Sequence, residues 1–250
     1  MLETRQLHKR FDGFKAITEI SLNILEGERH AIIGPNGAGK TTFFNLITGH
    51  LQPSAGEVRY KGDVISGLAP HKIVKQGLAR SFQRINIYPR MTVFQNVQVA
   101  LIAQHNQHLN FFTRAHNLHK GDTENLLELV DLSGETGGIA GELAYGKQKQ
   151  LELAIALAAN PQMLLLDEPT AGMSPNETTE SIQLINNIAE SRSLTLLFTE
   201  HDMSVVFGIA DRISVLHHGQ ILASGSPDDV RNDSEVKKVY LGEGLDDASA

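Results

Sequence analysis

The sequence predicts an α/β fold built on a parallel sheet, and three observations predict it. Short, almost wholly apolar runs recur at 31–33, 163–166, 194–198 and 213–216; strands covered on both faces read this way. Helical patterns with explicit start signals alternate with them. The stretch 89–158 is helical in pattern and carries none of the deep strand runs, so it reads as a helical insert within the α/β core.

Taken in chain order, residues 18–24 alternate polar and apolar in part, and 57–60 stand between Gly56 and Gly62; both read as strands of an antiparallel flank. The run 31–33 passes into a glycine-rich loop, and 41–48 is competent to form a helix. In the insert, Asp122 or Thr123 starts a helix with Leu126, Leu129 and Val130 on one face, and 104–120 is its most polar part. After 163–166, Ser174-Pro175-Asn176-Glu177 forms a capping box with Pro at the first helical position. Ile182, Ile185 and Ile188 then make one apolar stripe. His218-Gly219 turns the chain from 213–216 into a closing strand at 220–223. Ser226-Pro227 and Ser234 open two short helices. A single domain over 1–241 is expected, and the small, acidic tail 242–250 is expected to fray.

Composition excludes several functions. The 250 residues leave room for one large domain or two small ones. Lys plus Arg number 22 against 29 Asp plus Glu, a net charge of −7. A chain whose main partner is nucleic acid needs a basic face, so no nucleic-acid partner is expected. The absence of Cys removes thiolate catalysis, disulfides and cysteine-ligated zinc, and fits a reducing compartment. No secretory signal is visible near the N-terminus. No apolar run approaches the ~18 residues that span a bilayer.

The loop Gly34-Pro35-Asn36-Gly37-Ala38-Gly39-Lys40-Thr41 matches G-x-x-x-x-G-K-[ST] between a strand and a helix. A triphosphate carries dense negative charge. Backbone N–H groups converge on it only if glycines allow positive φ and close approach, and a helix N-terminus adds free donors. Lys40 would neutralise phosphate, and the Thr41 hydroxyl would hold Mg²⁺. A cation at a helix N-terminus is otherwise unfavourable, so Lys40 itself points to an anion. The run 163–166 ends in Asp167-Glu168, and 194–199 ends in Glu200-His201-Asp202. Strand C-termini gather at the ligand edge of a parallel sheet. Asp167 would hold the magnesium, Glu168 would orient or deprotonate the attacking water, and His201 could reach the γ-phosphate. By itself, Asp-Glu is also a plain solvated strand end, and His201 a residue beside the helix cap Asp202.

In this order, 34–42, Gln83, 143–147, 164–168 and His201 resemble the Walker A, Q-loop, signature, Walker B and switch-histidine motifs of the ATPase subunits of ABC transporters, and the resemblance runs from about 2 to 241. It implies a P-loop NTPase core with an antiparallel flank and a helical subdomain, ATP and Mg²⁺ as ligands, and a head-to-tail dimer. Each ATP would lie between the phosphate loop of one chain and the signature of the other. Carried over residue by residue, Gly34 to Lys40 with Thr41 and Thr42 would cradle phosphates, and Thr41, Gln83 and Asp167 would hold Mg²⁺. Glu168, His201 and Gln83 would serve the chemistry. Gln83 would also link the site to the transport partner, unless it is a plain polar residue at a strand end. Phe11 matches the aromatic that stacks on adenine; alternatively it is a core residue of the flank.

Two places depart from the family pattern. The usual Leu-Ser-Gly-Gly-Gln is here Leu143-Ala144-Tyr145-Gly146-Lys147. Ala144 lacks the hydroxyl that would contact phosphate, while Gly146 and the following helix N-terminus remain as donors. Lys147 either adds positive charge there or faces water. Ser174 stands where Asp is usual; it caps a helix equally well but brings no carboxylate to a dimer interface. The Ala-Tyr-Gly variant resembles importers of branched-chain amino acids and their relatives. His105-x-x-His108 and His116-x-x-His119 have helical metal-ligand spacing, but no Cys and few acids support them, and a solvated or partner-facing segment is expected.

The resemblance implies ATP hydrolysis coupled to solute import. The partners would be membrane permease subunits, a second ATPase subunit and, indirectly, an external solute-binding protein. The chain would sit at the cytoplasmic face of the inner membrane. Rivals are a lipid or lipopolysaccharide exporter and a non-transport ATPase of this family. Coupling needs a docking surface. Ile85, Ile87, Tyr88, Met91 and Phe94 cluster just after Gln83. Ile87 and Tyr88 are expected either to line a groove for a short permease helix or to complete the insert's own core.

Overall fold

The computed structural model describes residues 1–81, 85–105 and 118–240. A hairpin of β1 (Leu2–Phe11) and β2 (Phe14–Ile24) opens the chain. Next, β3 (Arg29–Ile33) leads through the glycine-rich loop into α1 (Lys40–Ile47), β4 (Ala55–Tyr60) returns beside β1, and β5 (Asp63–Val64) pairs with β4 at the edge. They are followed by α2 (Pro70–Lys75) and β6 (Leu78–Arg80), then by the helices α3 (Val93–Gln104), α4 (Lys120–Leu129) and α5 (Tyr145–Leu157). The remaining elements alternate: β7 (Met163–Asp167), α6 (Pro175–Ser191), β8 (Thr195–Thr199), α7 (Met203–Ile209), β9 (Arg212–His217) and β10 (Gln220–Gly225). Two short helices, α8 (Pro227–Asn232) and α9 (Ser234–Tyr240), close the described chain.

The strands form two sheets. A four-stranded antiparallel sheet has the order β2-β1-β4-β5, and a six-stranded sheet has the order β10-β9-β3-β8-β7-β6. Five strands of the larger sheet run parallel, and β10 pairs antiparallel with β9. This is the expected α/β core with an antiparallel flank. The deep apolar runs are its central strands because both faces are covered. Ala31 and Ile33, Leu164 and Leu166, and Leu196 and Phe198 enter the core shared with the helices. Their neighbours Ile32, Met163, Leu165 and Leu197 point the other way, into the core shared with α1 and the antiparallel sheet. No helix among the described residues is long and apolar enough to cross a membrane.

The helix starts follow local chemistry. The Ser174 side chain caps α6 and Glu177 answers back to the Ser174 N–H at 2.9 Å, with Pro175 in the first turn, as expected. One expected start moves. The helix expected from Asp122 or Thr123 begins at Lys120. His119 is left-handed, with φ 53°, and its carbonyl accepts from both the N–H (2.9 Å) and the hydroxyl (2.7 Å) of Thr123, which therefore lies inside the first turn. The last helix, α9, opens at Ser234 as expected, and the preceding Asp233 caps it. The Asp233 carboxylate accepts from the N–H groups of Glu235 and Val236 at 2.8 and 3.0 Å. The tail 242–250, most of 104–120 and Gln83 lie outside the described residues.

Candidate functional site

Parallel pairing brings three chain segments to one edge of the larger sheet. Thr199, the last residue of β8, is in register with Ile32 on one side and Asp167 on the other. The loop after β3, the Asp167-Glu168 pair at the end of β7 and the Glu200-His201 pair after β8 therefore emerge together.

The loop is fixed by its glycines. Gly34, Gly37 and Gly39 have φ of 153°, 80° and 110°. A Cβ on Gly34 would stand 2.0 Å from the Leu216 carbonyl oxygen, and one on Gly39 would stand 2.9 Å from that of Ala16. Gly39 also precedes α1 with no side-chain cap, so the first N–H groups of the helix face the loop interior. Lys40 is buried and donates to the carbonyl oxygens of Gly34 (2.5 Å) and Pro35 (3.2 Å). A cleft of about 390 Å³ opens over the loop. It is lined by Phe14 and Ala16, by 36–42, and by Glu168. That volume lies in the range of small-molecule sites.

The two acids take different environments. Asp167 is buried. Its Oδ1 accepts from the Thr199 hydroxyl at 2.8 Å, and its Oδ2 accepts from Arg80 Nη2 at 2.7 Å. Glu168 turns out of the strand at φ 50°, a conformation a non-glycine residue holds only where its surroundings enforce it. Its N–H reaches the carbonyl (3.1 Å) and hydroxyl (3.2 Å) oxygens of Thr199. Its carboxylate meets His201 Nε2 at 2.8 Å. The neighbouring Glu200 is buried, and accepts from the N–H and the hydroxyl of Thr170 at 2.8 and 2.7 Å. Burial pushes its carboxyl above the usual range, with the Glu168 charge adding to this and the Thr170 bonds opposing it. Glu200 thus ties the turn after β7 to the end of β8.

This constellation fits a nucleotide triphosphate and a hard cation. The loop presents amide donors and one ammonium group, and the Thr41 hydroxyl and Asp167 carboxylate are the oxygen ligands that Mg²⁺ prefers. The structure therefore brings Lys40, Thr41, Thr42 and Glu168 to one cleft, with Asp167 adjoining Glu168 in the chain and His201 in contact with the Glu168 carboxylate.

The other residues singled out in the sequence lie differently. Phe11 is 41% exposed and pairs across the hairpin with Phe14, which is 67% exposed. Phe14, which the sequence did not single out, is the one of the two that lines the cleft. The 143–147 segment begins α5 and lies away from the cleft lining. Leu143 packs on the helical core, and Tyr145 sits against Gly172. Lys147 is ion-paired with Glu135, and the Gly146 backbone faces Glu177. Acids of the same chain thus stand at this helix N-terminus. Ile87 packs against the helical core while Tyr88 is 55% exposed, so the expected pair is divided. His105 and His119 stack with ring centroids 4.4 Å apart; His108 and His116 lie outside the described residues. No cluster of three metal-ligating side chains occurs among the described residues. Arg80, Thr199 and Glu200 were also missed. Their roles come from partners distant in sequence, which no local motif encodes.

Residues 17–171 match a family model described as ABC transporter. Residues 220–246 match one described as branched-chain amino acid ATP-binding cassette transporter. The chain is 39% identical over 254 residues to the high-affinity branched-chain amino acid transport ATP-binding protein BraF of Pseudomonas aeruginosa, covering 97% of this chain and 98% of that protein. It is 38% identical to the corresponding LivG protein of Salmonella typhimurium, with the same coverage. Among solved structures, the ADP conformation of an ATP-binding cassette of an ABC transporter superposes with a TM-score of 0.86 at 32% identity, covering 97% of this chain and 99% of that one.

Proposed function

The chain belongs to the ABC transporter family as one of its ATPases, and from that membership we propose that it couples ATP binding and hydrolysis to uptake of branched-chain amino acids or a related small polar solute. Lys40, Thr41 and Glu168 lining one cleft is the observation that carries the catalytic part. The matches to branched-chain importers, including the separate one at 220–246, support the solute class.

In this reading 34–42 bind the phosphates, and Lys40 exchanges the Gly34 and Pro35 carbonyls for phosphate oxygens. Thr41 and Asp167, with Gln83, would hold Mg²⁺, which when bound neutralises charge on the transferred phosphoryl group. Glu168 orients the attacking water or takes its proton, and His201 holds the Glu168 carboxylate in place. Phe14 offers aromatic surface in the cleft lining for a base, and Phe11 stands across the hairpin from it. The signature of a second ATPase subunit would close the site from outside. Permease subunits would anchor the chain at the cytoplasmic face of the inner membrane, with an external solute-binding protein supplying the solute. Residues 1–241 would form one nucleotide-binding domain, with 89–158 as its helical subdomain.

Co-purification from membranes tests the proposal. The expected result is a complex holding permease subunits and two ATPase subunits, with ATPase activity that solute-loaded binding protein stimulates and Lys40→Ala abolishes. A chain recovered without membrane protein, or Lys40→Ala hydrolysing ATP at the parental rate, would overturn it.

A further inference from the structure

Arg80 ends β6 and is nearly inaccessible, its side chain 6% exposed against 5% for Asp167. Nη2 donates to Asp167 Oδ2 at 2.7 Å, and Nη1 donates to Asn45 Oδ1 at 2.7 Å and to Thr48 Oγ1 at 3.3 Å. The guanidinium lies over the Phe44 ring, 5.4 Å from its centroid. Asn45, Thr48 and Phe44 belong to α1 or its C-terminal cap, and α1 is the helix whose first turn carries Lys40 and Thr41. One planar cation therefore ties the acid of β7 to the helix of the phosphate loop.

A buried ion pair seldom adds net stability, because desolvation offsets the attraction. Fixed orientation is what the planar fork does supply. Each Asp167 oxygen already accepts one bond, from Thr199 or from Arg80, and keeps a second lone-pair direction. The carboxylate is thus held in one rotamer with acceptor capacity left over. Groups that orient a metal's ligands are worth about 10–100-fold in affinity or activity.

We propose that Arg80 is a positioning residue for Mg²⁺–nucleotide binding, fixing Asp167 relative to Thr41 by gripping Asp167 and α1 with one side chain. This rests on reading the cleft as the Mg²⁺–ATP site. The test measures affinity for a fluorescent ATP analogue, in excess Mg²⁺ and in EDTA, for the parental chain, Arg80→Lys, Arg80→Gln and Asn45→Ala, with melting curves alongside. Arg80→Lys keeps the charge and loses the fork; Asn45→Ala keeps the ion pair and loosens its tether. The expected result is that both Arg80 variants lose about tenfold of the Mg²⁺-dependent gain while the affinity in EDTA stays within about twofold. Asn45→Ala should lose a smaller part of that gain. An unchanged gain in folded Arg80→Lys overturns the proposal, as does an equal loss with and without Mg²⁺. If neither Arg80 variant folds, an unchanged gain in Asn45→Ala overturns it. A parental chain that shows no Mg²⁺-dependent nucleotide binding overturns the reading of the cleft itself.

Discussion

His201 Nε2 lies 2.8 Å from Glu168 Oε1, joining the ends of β8 and β7 through the carboxylate that lines the cleft. Glu168 holds its left-handed backbone at this point, so the contact fixes a carboxylate that the strand alone would leave free to swing. Glu168→Gln keeps the shape and a hydrogen-bonding partner for His201, and removes the carboxylate proposed to act on the attacking water. Nucleotide affinity should stay within about threefold while turnover falls by about 10²–10⁴. Binding and ATPase assays on the assembled transporter check this; turnover near the parental rate would remove Glu168 from the chemistry.

The Lys147–Glu135 ion pair assigns the lysine to its own chain. Both side chains are partly exposed, and surface pairs of this kind contribute about 0–1 kcal/mol. Lys147→Ala should therefore leave the melting temperature nearly unchanged. In a Glu168→Gln background it should weaken ATP-driven association by less than about threefold. Sedimentation with ATP decides; weakening of tenfold or more would show that Lys147 leaves Glu135 to serve the partner's nucleotide.

Tyr88 has a fixed backbone and an exposed ring. Its N–H donates to Asn96 Oδ1 at 2.7 Å and its carbonyl accepts from Asn96 Nδ2 at 3.1 Å, with Asn96 fully buried. Tyr88→Asp should leave the isolated chain as stable as the parent and reduce capture of permease subunits. Ile87→Asp places a charge against the helical core and should destabilise by about 1–3 kcal/mol. Thermal melts paired with membrane pull-down separate the two. Loss of stability in Tyr88→Asp, or undiminished capture, would count against a docking role for the ring.

Asp211 binds Arg29 through three contacts, to its N–H (2.9 Å), Nε (3.1 Å) and Nη2 (2.8 Å). Burial alone would raise the Asp211 carboxyl, but the hydrogen bonds and charge of Arg29 outweigh it and hold it below the usual range. An acid with a lowered folded-state pKa stabilises the fold above its unfolded-state pKa, and that stability is lost as pH falls through the folded value. Asp211→Asn should therefore lower stability at pH 7 by about 1 kcal/mol, discounted for the partial exposure of the pair. The deficit should shrink as pH drops below the ordinary Asp range. Denaturant titrations at several pH values check this; a deficit that stays constant would assign the effect to geometry rather than charge.

Much of the parallel sheet was legible because β3, β7, β8 and β9 each hold a short apolar run covered on both faces, too brief for a helix and bounded by polar or turn residues. The antiparallel sheet was only half legible. Register shifts interrupt β1, and Gln6 within it stands at φ 43°, so the simple alternation that betrays a strand is broken. With three residues, β6 is too short to have a period. In the site, Lys40, Asp167, Glu168 and His201 stand in local motifs. The Arg80–Asp167 pair joins positions 87 residues apart, and only the sheet order brings them together. Phe14 was passed over for a similar reason, since the register of the hairpin decides which of two nearby aromatics reaches the cleft.

The phosphate loop is clamped from outside. Gly34 presses on the Leu216 carbonyl, Gly39 presses on Ala16, and Ala38 accepts from the Gly219 N–H at 2.9 Å. Its curvature is therefore moulded by the β9–β10 turn and by β2 as the chain folds. These contacts within the chain order the loop, which leaves less to be ordered when a ligand binds there. Evolutionary drift feels the same clamp. A bulkier residue at Gly219 would meet the Ala16 carbonyl oxygen at 2.5 Å and disturb the loop by way of the hairpin. The freedom of a turn near the end of the chain is thus restricted by the shape of a phosphate cradle near its beginning.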